Sequence, residues 1–328
     1  MELNVSRTRL GLIVSMTLLM PWQAAGQQGD RPAQPTFRSS VDLVSVTAIV
    51  RDRKGRFVRD LAQKDFTIEE AGKPRRILDF RSVSDGPIRL ACLFDVSGSM
   101  RVGSKAADAR EAARQLFRSL APTDQAGIFA FDVRLQRVMD FTSDFTSLDA
   151  ALSQVDRPYG QTSLYDAIAE TARALAAASG GTGRLQQRTA IVVFTDGIDT
   201  HSRLTAGQVS TVASSIDVPV YIVAVMASID DLRESEAFEE SGLRNLSKWT
   251  GGELFTASSP APASLAARQI VEDLRHQYVL AFEASSGSGF RPLEGRARDR
   301  ALIVRARTGY SAGGQSLARK ISGMGAER

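Results

Sequence analysis

Two kinds of hydrophobic pattern alternate along this chain. Between 41 and 85 the apolar residues recur at every second position. Val44, Val46, Ala48 and Val50 share one face, Phe66 and Ile68 share another, and 77–80 returns. Turn chemistry separates these runs at Asp52-Arg53-Lys54-Gly55 and at Ala71-Gly72. The pattern predicts a small antiparallel module of three or four strands. From Arg89 onward strand and helix patterns alternate. Short apolar runs at 90–94, 190–194 and 218–225 have the look of strands buried on both faces, and further strands are expected at 126–131, 133–139 and 252–255. Between them fall predicted helices at 104–120, 147–155, 163–178, 205–216, 238–249 and 263–275. The first has a stripe of Ala109, Ala112, Ala113, Leu116, Phe117 and Leu120, with Ser104 as N-cap. The third runs into Gly180-Gly181, a natural stop. After His276 the two-residue period resumes in Tyr278, Leu280 and Phe282, and 301–306 is a further strand.

The alternation predicts an α/β class domain with a doubly wound, mostly parallel sheet and helices on both faces. Neither short β segment buries a core alone, so the N-terminal and C-terminal strands are expected to pair into one small β-module beside it. The organisation is then a leader at 1–26, a polar linker at 27–37, a β segment at 38–85, the α/β domain at 86–276, a second β segment at 277–311 and a loose tail at 312–328.

The leader has the three parts of a secretory signal peptide: Arg7 and Arg9, an apolar stretch at 10–20 closed by Pro21, and small residues Ala24-Ala25-Gly26. The apolar stretch is shorter than the roughly 20 residues of a membrane-spanning helix, so association with a membrane requires the leader to stay uncleaved. These features predict export to the periplasm or beyond the cell. The single cysteine, Cys92, excludes an intramolecular disulfide framework and fits as core filler. Two histidines leave no multi-histidine zinc or iron site. The formal net charge of +4 is modest. The basic stretch at 291–307 lacks the aromatic interleaving of a nucleic-acid surface and is expected to be a solvated sheet face.

In open α/β sheets ligands sit at the carboxyl ends of the central strands. The first central strand is followed by Asp95, Ser97 and Ser99 in "DVSGSM", with Gly98 allowing tight curvature. The second ends in "TDGIDT", which sets Asp196 at the same edge, and "GQTSLYDA" puts Thr162 on a loop just ahead of a helix. Five oxygen side chains from three loops make a hard donor set suited to Mg²⁺, with Mn²⁺ or Ca²⁺ also compatible. Two carboxylates neutralise the ion, and the hydroxyls fill positions without adding charge. The ion then stays electrophilic toward one further carboxylate. Asp199, close by, is expected to be a loop or cap residue.

"DVSGSM", the Thr162 loop and "TDG" resemble the metal-ion-dependent adhesion site of von Willebrand factor A domains, and the flanking β segments resemble a bacterial exported subfamily of these proteins. The resemblance spans about 86–282. It implies that Ser97 and Ser99 touch the metal directly, that Thr162 does so directly or through water, and that Asp95 and Asp196 act directly or through water. It implies a non-enzymatic module that binds a partner protein through an Asp or Glu of that partner. One alternative is a structural subunit of an envelope complex, whose metal only stiffens the loops. A Mg²⁺-dependent phosphatase-like hydrolase is a weaker alternative, because Ser97 stands where its second acid belongs. A serine hydrolase is weaker still, because the nucleophile-elbow pattern is absent.

Overall fold

The computed structural model describes residues 43–83, 86–155, 159–178, 188–215, 217–226, 242–257 and 259–312. The leader, the linker, Gly180-Gly181, the start of the helix expected at 238–249 and the tail beyond Ala312 lie outside the described residues.

The chain opens with β1 (Leu43–Arg51), β2 (Phe66–Glu70), β3 (Lys73–Arg75) and β4 (Ile77–Val83). It then enters the α/β domain through β5 (Ile88–Asp95), α1 (Lys105–Arg118), β6 (Gln125–Phe131), β7 (Leu135–Thr142) and α2 (Phe145–Leu152). There follow α3 (Leu164–Ala178), β8 (Arg188–Thr195), α4 (Ala206–Ser215) and β9 (Val220–Val225). The domain ends with α5 (Leu243–Thr250), β10 (Leu254–Ala257) and α6 (Pro260–Arg275).

Six strands form one sheet in the order β10-β9-β8-β5-β6-β7. Every neighbouring pair is parallel except β6 with β7. The central strand β5 explains the two-sided burial. Ile88, Leu90, Cys92 and Phe94 face a core shared with α1, α2 and α6, whereas Ala91 and Leu93 face a second core shared with α3, α4 and α5. Each large aliphatic or aromatic side chain enclosed in this way contributes about 1.5–3 kcal/mol. The Cys92 thiol is wholly enclosed, and burial pushes its pKa up, so it is inert filler.

Ser104 precedes α1 but does not cap it. Its hydroxyl donates to Asp108 Oδ2 at 2.5 Å instead of accepting a backbone N–H. Asp144 does cap α2, accepting from the Thr146 and Ser147 N–H groups at 3.1 Å each.

The chain leaves α6 into β11 (Gln277–Glu283), followed by β12 (Gly289–Ala297), β13 (Ile303–Ala306) and β14 (Gly309–Ala312). These strands join the N-terminal ones in two four-stranded sheets, β13-β1-β11-β4 and β14-β12-β2-β3. β1 and β11 run antiparallel from the pair Leu43–Glu283 to the pair Ala48–Tyr278. The two sheets share a core of Val46, Val50, Phe66, Ile68, Leu280 and Phe282 among others. Strands β3, β12 and β14 were not visible in the hydrophobic pattern. Of the nine residues of β12 only Leu293 is buried, so its register is set by pairing with β2 and β14 and not by an apolar stripe.

The basic stretch is not a uniformly solvated face. Arg291 pairs with the buried Glu70, Arg305 with Asp273 and Glu253, and the buried Arg307 donates to the Ser45 carbonyl. Arg296 and Arg298, by contrast, are exposed.

Candidate metal centre

The carboxyl ends of β5, β6 and β8 lie side by side, with Phe94 in register with both Ala130 and Phe194. Three loops meet at this edge, two after β5 and β8 and one between α2 and α3, and are stitched together by their backbones. The Gly98 N–H donates to the Gly160 carbonyl at 2.9 Å, and Tyr159 N–H to the Val96 carbonyl at 2.9 Å. The Thr200 and His201 N–H groups both donate to the Thr162 carbonyl, at 3.1 and 2.8 Å. A side chain on Gly98 would come within 3.1 Å of the Gly160 carbonyl oxygen, so glycine is what permits the close approach of these two loops.

Asp95 is the last residue of β5 and is 3% exposed. Its Oδ1 accepts from the Ser97 N–H at 2.9 Å and its Oδ2 from the Thr195 hydroxyl at 2.6 Å. Burial pushes its carboxyl up to about 6. The hydrogen bonds from Ser97 and Thr195 oppose that rise, and the nearby Asp196 charge adds to it. Ser97 Oγ lies 3.1 Å from Ser99 Oγ, and Ser99 Oγ donates to Asp196 Oδ1 at 3.1 Å. Asp196 is buried too, and its Oδ2 accepts from Lys105 Nζ at 3.1 Å. The Thr162 hydroxyl is buried without a hydrogen-bond partner.

The structure therefore brings Asp95, Ser97, Ser99 and Asp196 into one hydrogen-bonded group, and the Thr162 loop is bonded to the loops that carry them. The donor chemistry fits a small hard cation. Two buried carboxylates, two facing hydroxyls and a third hydroxyl with no partner make an oxygen-only set. A buried hydroxyl left unpaired costs about 1–3 kcal/mol, and a coordinated ion or its water would supply the missing partner. Among the described residues no cluster holds three or more His, Cys, Asp or Glu side chains, so the set depends on its hydroxyls. Asp199 takes the cap role: its Oδ1 accepts from Leu164 N–H at 2.8 Å and from the Ser202 hydroxyl at 2.7 Å, at the start of α3.

Two site residues escaped the sequence reading. Thr195 holds Asp95 from the neighbouring strand. Lys105 sits four residues before Ala109, on the buried stripe of α1, and is only 2% exposed. A charged residue in phase with an apolar stripe is the signal that marks it.

Around the group the loops expose apolar side chains: Val102 is 56% exposed, Tyr159 78%, Ile198 39% and Val133 42%. Arg101 and Arg134 are exposed beside them.

A sequence profile of the von Willebrand factor type A domain matches residues 90–198. Those residues, from β5 to the turn after β8, are similar to a von Willebrand factor type A domain. An aerotolerance-related membrane protein from Bacteroides fragilis is similar in structure, with 20% identity and a TM-score of 0.45 over 57% of this chain and 98% of that one. A von Willebrand factor type A protein from Catenulispora acidiphila has 13% identity and a TM-score of 0.46, covering 75% of this chain and 72% of that one. The manganese-loaded TRAP protein of Plasmodium vivax has 12% identity and a TM-score of 0.43, covering 70% and 96%. A search of curated proteins gives no match.

Proposed function

We propose that this protein is an exported binding module that holds a divalent cation, Mg²⁺ by preference, among Asp95, Ser97, Ser99, Thr162 and Asp196, and captures an Asp or Glu of a partner protein. The observation that carries the metal is the unpartnered buried Thr162 hydroxyl, on a loop whose backbone is bonded to the loops that hold two buried carboxylates. The bound ion supplies an electrophilic point for an outside carboxylate. The chain's own residues do the rest. Ser97 and Thr195 orient Asp95, Ser99 orients Asp196, and the three neutral hydroxyls fill positions around the ion without adding charge. The exposed Val102, Val133, Tyr159 and Ile198 favour an acidic residue set among apolar neighbours, and Arg101 and Arg134 add attraction for acidic chains.

Binding suits the geometry better than catalysis. Asp95 commits both carboxylate oxygens to protein donors and is almost wholly enclosed, which does not suit a nucleophile. Placement outside the cytoplasm rests on the Arg7/Arg9, apolar and Ala24-Ala25-Gly26 features of the leader. Among the described residues no helix is long and apolar enough to cross a membrane.

The test is capture of partners from envelope extract by wild type, Asp95→Ala and Thr162→Ala, each with Mg²⁺ and with EDTA. Capture should be lost in Asp95→Ala and in EDTA, and weakened less in Thr162→Ala. Capture unchanged by chelator and by Asp95→Ala would place binding elsewhere. Tight metal binding with no carboxylate-dependent partner would leave the metal a structural role only.

A further inference from the structure

Thr162 carries the buried hydroxyl without a hydrogen-bond partner, and its backbone is gripped by the loop after β8. The Thr162 N–H donates to Thr200 Oγ1 at 3.0 Å. The Thr162 carbonyl accepts from the Thr200 N–H at 3.1 Å and the His201 N–H at 2.8 Å. The next N–H, of Ser163, donates to the Asp132 carbonyl at 2.8 Å. The same loop also serves the first turn of α3. Leu164 N–H donates to Asp199 Oδ1 at 2.8 Å, and the Tyr165 and Asp166 N–H groups donate to Ser202 Oγ at 3.0 and 3.3 Å. Asp166 returns the contact, its carboxylate accepting from the Arg203 and Leu204 N–H groups at 3.1 and 3.0 Å. A helix start leaves its first N–H groups without intrahelical partners, and here side chains of another loop take them. That loop begins at Asp196, so Thr162 and Asp196 are tied into one unit.

We propose that Thr200 is a positioning residue for the divalent ion: by fixing the Thr162 peptide, its hydroxyl aims the Thr162 hydroxyl into the donor set. This rests on the metal-binding reading above. Thr200 is not itself a ligand in this scheme, because its Oγ1 is occupied by a backbone N–H. A small hard cation demands close and near-octahedral oxygens, so a neutral hydroxyl contributes only when it is held at the right place. The Thr162 side chain hangs from a peptide bonded at its N–H and its C=O, with the following N–H bonded as well. Of these bonds only the one to Thr200 Oγ1 uses a side chain. The others run from backbone to backbone and survive any substitution that keeps the loop. Thr200 is therefore where the sequence of this loop sets the aim of Thr162. Groups that orient a metal's ligands without touching the metal change its affinity by about 10–100-fold when removed.

The experiment measures Mn²⁺ affinity of the full chain by the electron paramagnetic resonance of free Mn²⁺. It uses wild type, Thr200→Val, Thr200→Ser, Thr162→Ala, the double variant Thr162→Ala/Thr200→Val, and Ser202→Ala. Melting midpoints in EDTA are recorded alongside. Thr200→Val keeps the shape, removes the acceptor and should weaken Mn²⁺ binding about tenfold. Thr200→Ser keeps the hydroxyl and should bind as wild type does. In the Thr162→Ala background Thr200→Val should have little further effect, because Thr200 acts through the hydroxyl that is already gone. Ser202→Ala loosens the same loop beyond Thr162. It should lower the midpoint in EDTA and leave Mn²⁺ affinity close to that of wild type. Thr200→Ala carries the comparison if Thr200→Val fails to fold. Unchanged affinity in Thr200→Val, or an equal loss with and without the Thr162 hydroxyl, would overturn the role of Thr200 and leave the metal site standing. A loss in Ser202→Ala as large as in Thr200→Val would assign the effect to the loop as a whole and overturn it too. No Mn²⁺ binding by wild type would overturn both the role of Thr200 and the metal site.

Discussion

The Thr195 hydroxyl donates to Asp95 Oδ2 at 2.6 Å, so the last residue of β8 fixes the last residue of β5. The same hydroxyl oxygen accepts from the Gly197 N–H at 3.0 Å, which ties the turn after Asp196 to the strand. One side chain therefore positions both carboxylates. Thr195→Val keeps the shape and removes the bond, leaving a buried carboxylate oxygen and a buried N–H unpaired. Chemical denaturation should show a loss of roughly 1–3 kcal/mol. A Mn²⁺ titration of the same variant should show weaker binding, because Asp95 is no longer held in place.

The apolar rim makes a separate prediction. Tyr159 and Ile198 are exposed and make no part of the buried donor set. A Tyr159→Ala, Ile198→Ser variant should keep the divalent-cation thermal shift of the wild type while losing about tenfold or more in partner affinity. Loss of the thermal shift in this variant would mean that the rim shapes the loops and does not contact a partner.

Glu70 is the charged hub of the β-module. It is 1% exposed and receives Arg75, Arg291, Ser285 and Tyr310. Burial alone raises its carboxyl, but the Ser285 and Tyr310 hydrogen bonds and the Arg75 charge outweigh that and hold it at about 2, below the ordinary value of 4.5. A carboxyl with a depressed folded value stabilises the fold above the unfolded value, and this contribution is lost as pH falls from about 4.5 to about 2. Unfolding free energy of the wild type should drop across that window by roughly 3 kcal/mol. Glu70→Gln should start lower at neutral pH and fall less steeply in acid. Parallel acid profiles for the two proteins would contradict this.

Asp273 on α6 joins the α/β domain to the β-module. It accepts from Arg51 of β1 at 2.6 Å and pairs with Arg305 of β13, and it is fully buried. Asp273→Asn leaves two guanidiniums facing a neutral group. Both arginines are about a quarter exposed, so solvent offsets part of the penalty. Urea denaturation should show a loss of about 2 kcal/mol.

The parallel sheet was legible in the sequence because a strand enclosed on both faces must be apolar throughout. The runs at 90–94, 190–194 and 218–225 are short, apolar throughout and rich in branched or aromatic residues, which favours such strands over buried helix. The metal-site candidates were legible for a related reason. Polar residues that directly follow such runs, Asp95 and Asp196, fall at one edge of the sheet by topology alone. The pairing of Val44–Val50 with Tyr278–Phe282 was readable as a need, since neither segment encloses a core alone, although its register was not. Strands β12 and β14 were hidden because their partners, not their own apolar residues, place them. The arginines of that stretch looked like solvent-facing charge because the acids that receive them, Glu70, Glu253 and Asp273, are distant in sequence. Lys105 was hidden similarly: at a helix start a lysine looks like ordinary surface charge until the stripe is counted back to it.

The chain enters the α/β domain after Val83 and leaves it at Gln277, and these two residues face each other across β4 and β11. The whole α/β domain is therefore an insertion between the two partners of one rung of the β4–β11 ladder. During synthesis from the N-terminus, β1 to β4 emerge first but lack β11 to β14, while the inserted domain already has all its strands. The insert is free to fold before its own foundation closes. The late step is the long-range zipping of the terminal strands, the class of contact that slows folding most and leaves strand edges open longest. Deleting the last strands should thus harm the assembled base more than the α/β head it displays.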